Sequence, residues 1–261
     1  MLRPNFLTRL LLIVPPLITV ATLLLLWFLL GETGSINPIF LPQLPSVAEA
    51  AARLIWDPAI YADAWATAYR SAIGLLVSVA LAIPVGLVFG RMPRLYAFFE
   101  LPVDFFRSIP SSSLFFLFIL AFGVGDTSKI AVVIYGCAPI LLVGAVYGAK
   151  PSREKQDRIN MLTAFGATRM QILTLGVVPD AVPQVAAAFR VSVSLSLVLV
   201  IVTEMFLGAD DGLGHRLYDY YLAYRIPEMY CVLMALGLLG YLANRGAVAL
   251  EHTLTFWKPL P

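Results

Sequence analysis

The chain contains several apolar runs that are each about as long as the hydrocarbon core of a bilayer is thick. Residues 10–31, for example, carry no ionisable side chain, and about 20 helical residues are enough to cross the core. Because backbone groups in lipid must be satisfied within the segment, such runs predict helices. With 60% hydrophobic and 13% charged residues and a mean hydropathy of +0.85, the chain is too apolar for a soluble domain. The sequence predicts an all-α, polytopic membrane protein.

Six transmembrane helices are predicted within one transmembrane domain that covers residues 1–261. The predicted spans are residues 10–31, 68–90, 106–125, 130–149, 183–207 and 229–250. The first run is longer than the apolar region of a signal peptide and lacks a small-residue cleavage site, so we expect a retained anchor. After it, the Pro-punctuated residues 41–46 indicate a turn, and residues 47–56 predict a short amphipathic helix at the membrane surface.

The positions of Lys and Arg predict the orientation of these spans. With an inward N-terminus, eleven of the 18 basic residues fall in inside segments and four in outside segments. The eleven are Arg3, Arg9, Arg91, Arg94, Lys150, Arg153, Lys155, Arg158, Arg169, Arg245 and Lys258, and the four are Arg53, Lys129, Arg216 and Arg225. Because cytoplasmic loops carry the excess of positive charge, both termini and the loop at residues 151–182 are expected in the cytoplasm. The net charge of +2 does not indicate a nucleic-acid partner.

The loop at residues 151–182 is the one substantial charged, amphipathic segment of the second half of the chain. Ser152 is a predicted N-cap for a helix that runs to Phe165, and Gly166 can adopt the left-handed conformation that ends a helix. Thr168 and Gln171 have the spacing of a capping box at a second helix start. The loop is therefore predicted to consist of two short helices with a joint between them.

Two prolines and several apolar residues complete this loop. Pro179 and Pro183 are predicted to close the second helix and to open the next one. Apolar surface is predicted on the first helix, which is otherwise surrounded by charged residues, from Ile159, Met161, Leu162 and Phe165. Exposed apolar surface of this kind is typical of a binding site for another protein.

This loop resembles the cytoplasmic EAA loop of ABC-importer permeases, whose pattern is Glu-Ala-Ala, three residues, Gly, nine residues, Ile-x-Leu-Pro. Gly166 and Pro179 stand at the Gly and Pro positions, residues 160–162 (NML) at Glu-Ala-Ala, and Gly176 where Ile is usual. Three more stretches resemble the nitrate/sulfonate/taurine branch of these permeases. They are ELPVDFFRSIP at 100–110, FGVGDTSK at 122–129 and EMFLGADDGLG at 204–214. The resemblance extends over residues 42–258, with a core family region at about 65–250.

The resemblance implies a type I ABC importer permease fold with cytoplasmic coupling helices, in a bacterial cytoplasmic (inner) membrane. The chain would form the translocation pathway for a small solute, such as the anions nitrate, sulfonate or taurine, delivered by an extracytoplasmic binding protein. It would pair with a second copy as a homodimer, and two cytoplasmic ATPase subunits carrying ATP and Mg would grip the loop. The ATPase-coupling residues that the resemblance implies are Asn160, Met161, Leu162, Phe165, Gly166, Ala167, Thr168, Arg169, Gln171 and Pro179.

The sequence carries no motif for chemistry of its own. None of the four lysines is followed by Ser or Thr, as a phosphate-binding loop requires. His215 and His252 are predicted on opposite sides of the membrane and cannot share a metal. Cys137 and Cys231 lie in apolar runs and are interpreted as small buried hydrophobes rather than as a disulfide or metal pair. The chain is therefore not expected to be an enzyme or to hold a cofactor; the alternative function is a secondary transporter or channel without ATPase partners.

Polar residues at membrane depth are candidates for the translocation pathway. Arg190 and Glu204 are 14 residues apart and share a helix face, and such groups usually face a bundle interior or a water-filled cavity. Alternatively, Arg190 extends to the inner interface or pairs with a neighbouring helix, and Glu204 is hydrated at the outer end of its span. The serine triplet after Pro110 either exposes its hydroxyls or bonds back to its own helix. The tentative pathway residues are Ser111, Ser112, Ser113, Arg190, Ser194 and Glu204.

Other charged residues have simpler predicted roles. Arg70 and Arg107 lie near span ends, where long basic side chains extend to the interface. Asp210 and Asp211 are adjacent, without the spaced oxygen ligands of a calcium loop, so the GADDGLG segment at 208–214 is interpreted as a turn.

Overall fold

The computed structural model describes residues 6–34, 36–206 and 210–257, and the regular structure within them is helical. The helices are α1 (Phe6–Glu32), α2 (Leu44–Leu54), α3 (Pro58–Arg91), α4 (Pro93–Ser108), α5 (Phe115–Phe122), α6 (Asp126–Ala149), α7 (Arg153–Ala164), α8 (Arg169–Ile172), α9 (Val178–Met205), α10 (Leu213–Leu222) and α11 (Ile226–Leu254). A 3-10 turn, Ser111–Leu114, precedes α5, and a π turn, Leu173–Val177, separates α8 from α9. The all-α prediction is confirmed.

Four of the described helices are long and apolar enough to cross a membrane. They are Pro58–Arg91, Asp126–Ala149, Arg169–Met205 and Ile226–Leu254. A fifth crossing is present if α4 and Ser111–Phe122 form one span, and α1 contributes the apolar stretch Leu17–Glu32. The helices extend beyond the apolar runs: α3 begins at Pro58 rather than at residue 68. Hydropathy marks the part of a helix that lipid covers, whereas hydrogen bonding and caps decide where the helix ends.

The predicted span at 106–125 is not one straight helix. Helix α4 ends at Ser108, and the segment that follows is bent from it by 80°. Ile109 is extended, with φ −78° and ψ 124°, because a residue before proline is excluded from the helical region by the ring of Pro110. The chain then turns through Ser113, whose N–H donates to the Pro110 carbonyl at 3.0 Å.

The joint between α8 and α9 also differs from the prediction. Pro179 and Pro183 do not end one helix and start another, since the chain is helical from Arg169 to Met205. Pro179 lies in the first turn of α9, directly after the π turn, and Pro183 lies inside α9. The π turn changes the hydrogen-bond pattern where proline has no N–H to donate, so the helix continues past the proline.

By its internal contacts the chain divides into two compact units, of which one joins residues up to Ile60 with Leu217–Met234. In this unit the Trp27 indole donates to the Pro42 carbonyl at 2.9 Å, and the Tyr230 hydroxyl donates to the Phe40 carbonyl at 2.6 Å. Cys231 is buried as a free thiol. The predicted helix at 47–56 is present as α2, and it buries its apolar face.

The second unit joins Tyr61–Arg216 with the chain from Ala235 onward, and its core is built from α3, α5, α6, α9 and α11. Glycines allow the closest approaches: a β-carbon on Gly86 would lie 2.6 Å from the Leu142 carbonyl oxygen, and one on Gly144 would lie 2.5 Å from the Ala188 β-carbon. Small residues at crossings are typical of packed membrane helices. Cys137, a fully buried free thiol, fills this core as the sequence predicted.

Candidate functional site

The loop at 151–182 has the local structure that its sequence predicts. The Ser152 side chain accepts from the Lys155 N–H and caps α7. Gly166 follows α7 with φ 77°, a conformation that side chains with a β-carbon rarely adopt. Thr168 and Gln171 form a complete capping box at the start of α8. The first helix, the joint and the start of the second helix are confirmed, but the second helix is not a separate short one, because it continues into α9.

One face of this helical pair packs against the membrane helices. Ile159 is buried with Ala149 and Val177. A β-carbon on Gly176 would lie 3.2 Å from Leu162 Cδ1, so the glycine makes room for the larger leucine. Burial of this face fixes α7 to the ends of α6 and α9.

Polar contacts add to this attachment. The Arg158 guanidinium forms a 2.7 Å ion pair with Asp180 in the first turn of α9, and the Lys155 ammonium donates to the Gly148 carbonyl at the end of α6. Both bonds cross from α7 to a membrane helix. These two bonds attach α7 to both α6 and α9.

The opposite face is apolar and exposed. Phe165 is 85% exposed, Met170 67% and Met161 62%. Large apolar side chains that stand in water beside charged residues mark a protein interaction site. Nine of the ten implied coupling residues lie together on α7, α8 and their joint; Pro179 lies beyond them in α9.

The structure does not bring Arg190 and Glu204 into one polar path. Arg190 lies near the middle of α9, 12 residues from its α7 end, where it forms a 3.3 Å ion pair with Glu251 of α11. Its pairing with a neighbouring helix was one of the predicted alternatives. Glu204 lies at the other end of α9, where it is fully buried, so the prediction of a hydrated carboxylate is wrong.

The candidate serines differ in exposure. Ser112, Ser113 and Ser194 are exposed, whereas Ser111 is half-buried beside Gly136. The Ser111–Ser113 turn follows the break at Pro110, so its hydroxyls lie on the irregular part of the chain. Exposed hydroxyls at such a break can contact a polar solute. Among the described residues, neither the triplet nor Ser194 forms a hydrogen bond with Glu204.

A buried ionic cluster surrounds Glu204, and sequence reasoning missed it. Arg70 is 2% exposed and donates to the Glu204 carboxylate at 2.7 Å. Its guanidinium also forms ion pairs with Asp126, at 2.7 Å, and with Asp211. The predicted extension of Arg70 to the interface is wrong, because three carboxylates from three other segments hold the guanidinium inside the protein.

Uncharged groups donate further hydrogen bonds to Glu204. Its second oxygen accepts from the Thr67 hydroxyl at 2.8 Å and from the Gly214 N–H at 3.0 Å. Thr67 in turn accepts from the Leu213 N–H at 2.9 Å. A β-carbon on Gly212 would collide with the Glu204 carboxylate. The segment before α10 is therefore fastened to α3 and to the end of α9.

Asp63 extends the same attachment. It accepts from the Gly212 N–H at 2.9 Å and forms an ion pair with Arg216. In the predicted 208–214 turn, residues 208 and 209 lie outside the described residues, and Asp211 is an ion-pair partner. Lys129, predicted in an outer loop, lies in the first turn of α6 and is 3% exposed. Arg107, the other predicted span-end residue, pairs with Asp104 and is half exposed.

A signal for this cluster was present in the sequence. Asp63, Thr67, Arg70 and Gly74 are spaced by four, three and four residues, which places them on one helix face. The signal required that the helix begin before the apolar run, because Asp63 and Thr67 precede the predicted span.

Comparison with known proteins agrees with this architecture. Residues 78–252 match the model of the binding-protein-dependent transport system inner membrane component family. A probable ABC transporter permease protein of Brucella abortus (strain 2308) is 31% identical over 232 residues, which are 89% of this chain and 90% of that protein. The taurine transport system permease protein TauC of Escherichia coli (strain K12) is 25% identical over 244 residues, covering 92% and 88% of the two chains.

A solved structure has the same fold. One chain of the inward-facing MetNI methionine ABC transporter superposes with a TM-score of 0.67 at 23% identity, covering 78% of this chain and 98% of that one. Identity at this level supports the fold alone, and the fold is that of a type I importer permease, as the resemblance implied. From the family match and the relatives we conclude that this chain belongs to the binding-protein-dependent transport system inner membrane components, as an ABC importer permease of the nitrate/sulfonate/taurine type.

Proposed function

We propose that α7 and α8 are the element through which separate ATPase subunits drive this permease. The observation that carries the proposal is the exposed apolar surface formed by Met161, Phe165 and Met170 on a doubly capped helical pair. The caps hold this surface in one conformation, so a partner can bind it without first ordering a loop. In this proposal ATP and Mg are bound by the ATPase subunits, and the permease chain does not hydrolyse ATP.

Helix α9 is suited to transmit the movement. It is continuous with α8 through the π turn, and its 28 residues correspond to a rod about 42 Å long. The coupling helices lie at one end of this rod and the buried ionic cluster at the other. Displacement of α8 by closing ATPase subunits would tilt α9 as a rigid body, because packed helices move between discrete arrangements rather than bending continuously.

The remaining assignments follow from this mechanism. The coupling helices and both termini face the cytoplasm, and the ionic cluster lies on the outer side, where the binding protein delivers the solute. Two copies of the chain enclose the pathway, which is lined in part by Ser112, Ser113 and Ser194. The name of the Escherichia coli relative supports taurine or another small sulfonate as the solute, and competition between taurine, nitrate and alkanesulfonates in an uptake assay tests this choice.

The coupling role is tested with Phe165→Ala in permease co-expressed with its ATPase and binding protein. Loss of a central aromatic anchor commonly costs about 2 kcal/mol, or about thirtyfold in affinity, so ATPase co-purification and coupled uptake should both fall. Phe98→Ala is the matched control, since Phe98 is 76% exposed on α4, outside the coupling helices. Unchanged ATPase association in Phe165→Ala would contradict the proposal.

The orientation is tested separately by labelling. Glu154→Cys places a thiol on the exposed side of α7, and the two native cysteines are buried. A membrane-impermeant maleimide should label this variant in inverted vesicles and leave it unlabelled in intact spheroplasts. The reverse pattern would place the coupling helices outside and would refute the assignment.

A further inference from the structure

Where α3, α4 and α6 meet at the end nearest α7, three aromatic rings and two opposite charges line one cleft of about 200 Å³. The rings belong to Phe89, Tyr96 and Tyr147, one from each helix, and the charges to Glu100 and Lys150. Tyr96 and Glu100 are four residues apart and therefore share a face of α4. A cleft this small holds a headgroup-sized ligand rather than a drug-sized one.

The two charges are not paired with each other. Among the described residues, neither Glu100 nor Lys150 forms an ion pair, and the Lys150 ammonium lies over the Tyr147 ring, 5.8 Å from its centroid. Opposite charges that share a cleft without joining leave a place for a ligand that carries both signs. The carboxylate and the faces of the aromatic rings attract a cation, and the Lys150 ammonium attracts an anionic phosphate.

An apolar groove follows the cleft along the same three helices. It has a volume of about 400 Å³ and is lined by Val85, Val103, Phe106, Ile134 and Leu142 with neighbouring apolar residues. Val85 is one turn from Phe89, and Leu142 is one turn from Val146 in the cleft floor. From Leu142 to Ile134 the groove extends about 12 Å along α6, toward the middle of the span. A charged, aromatic cleft continued by an apolar groove is complementary to the two parts of a phospholipid, its charged headgroup and an acyl chain.

We propose that this cleft and groove form a phospholipid site selective for phosphatidylethanolamine. The primary ammonium of the headgroup lies between the aromatic rings and donates hydrogen bonds to Glu100, the phosphate faces Lys150, and one acyl chain occupies the groove. Phosphatidylcholine has no N–H to donate to Glu100, and phosphatidylglycerol has no cation for the carboxylate and rings. The assignment of this lipid to the inner leaflet rests on the proposed orientation of the permease; the headgroup chemistry does not.

The full-length chain, purified in detergent, is titrated with phosphatidylethanolamine, phosphatidylcholine and phosphatidylglycerol and analysed by native mass spectrometry. We expect phosphatidylethanolamine to bind about tenfold more tightly than either other lipid, a difference typical of one charge-assisted hydrogen bond. Glu100→Gln should reduce its preference over phosphatidylcholine, because the amide oxygen accepts a hydrogen bond without the charge that strengthens it. Lys150→Gln should weaken the binding of all three lipids. Asp104→Asn and Arg94→Gln are the controls, because both residues lie on α4 outside the cleft lining, and both should retain the preference.

Each remaining outcome overturns the proposal. Equal binding of phosphatidylethanolamine and phosphatidylcholine to the unmodified chain would show that Glu100 does not distinguish a primary ammonium from a quaternary one. Binding of phosphatidylglycerol as tight or tighter would identify a simple basic site. Glycerophosphoethanolamine binding as tightly as the intact lipid would indicate a soluble ligand instead of a lipid. Because no ATPase subunit takes part in this assay, its failure would leave the coupling proposal unaffected.

Discussion

Arg70→Met tests how much the buried ionic cluster contributes to the stability of the permease. The substitution keeps most of the side-chain length and removes the charge that faces Glu204, which is fully buried. Breaking a buried pair from one side leaves an uncompensated charge and costs about 3–5 kcal/mol. The pairs with Asp126 and Asp211 add little, since these carboxylates are 50% and 53% exposed and exposed pairs contribute about 0–1 kcal/mol each.

The lower end of this range applies, because Glu204 keeps its bonds from Thr67 and Gly214. A loss of about 3 kcal/mol corresponds to a fall of about 6–12 °C in Tm for a chain of this size. The assay is thermal unfolding of the purified permease in detergent. Arg107→Met is the matched control, since Arg107 and its partner Asp104 are 50% and 51% exposed and the loss should be below about 1 kcal/mol.

A second substitution separates the buried charge from the lost contacts. In Arg70→Met/Glu204→Gln the neutral amide leaves no unpaired charge, and its carbonyl oxygen still accepts from Thr67 and Gly214. The double variant should therefore be more stable than Arg70→Met alone. The reasoning is refuted if Arg70→Met is as mild as Arg107→Met, or if adding Glu204→Gln lowers Tm further.

Three other substitutions have expected outcomes. Gly166→Val should leave the permease in the membrane but reduce coupling of ATP hydrolysis to uptake, because valine resists φ 77°; Gly34→Val, at φ 64° and outside the coupling loop, should preserve coupling. Arg190→Ala should lower the free energy of unfolding by less than about 1 kcal/mol, since the Arg190 side chain is 48% exposed. Altered uptake at unchanged expression would assign Arg190 to the pathway, and loss of assembly alone would make its role structural. Gly86→Val should reduce folded yield because its β-carbon meets backbone 2.6 Å away, whereas Gly237→Val meets nothing within 4 Å and should be tolerated.

Local chemistry explains why the coupling helices were predictable. The caps and the joint depend on backbone groups within three residues of the side chain concerned, as at Ser152, Gly166, Thr168 and Gln171. The local sequence is therefore enough to predict them. The same holds for the apolar runs, whose length and composition decide whether a helix can lie in lipid.

The effects of two prolines were predicted wrongly, because each effect depends on the hydrogen bonds of the surrounding backbone. Pro110 breaks its predicted span, whereas Pro179 lies inside a continuous helix. At Pro110 the preceding residue is extended, while before Pro179 a π turn carries the helix past the missing N–H. A proline restricts the backbone in either case, but its surroundings select between a bend and a changed hydrogen-bond pattern.

By itself the sequence determined that this chain is a helical membrane protein, that its middle loop forms two capped helices, and which family it resembles. Only the tertiary structure decided that Arg70, Asp126, Glu204 and Asp211 share one cluster, because these residues come from four separate segments. A charge near the end of an apolar run can extend to water or pair inside the protein. The choice depends on whether packing brings opposite charges within hydrogen-bond distance. The spacing of Asp63, Thr67 and Arg70 places them on one helix face, but it does not say which residues of other segments meet that face.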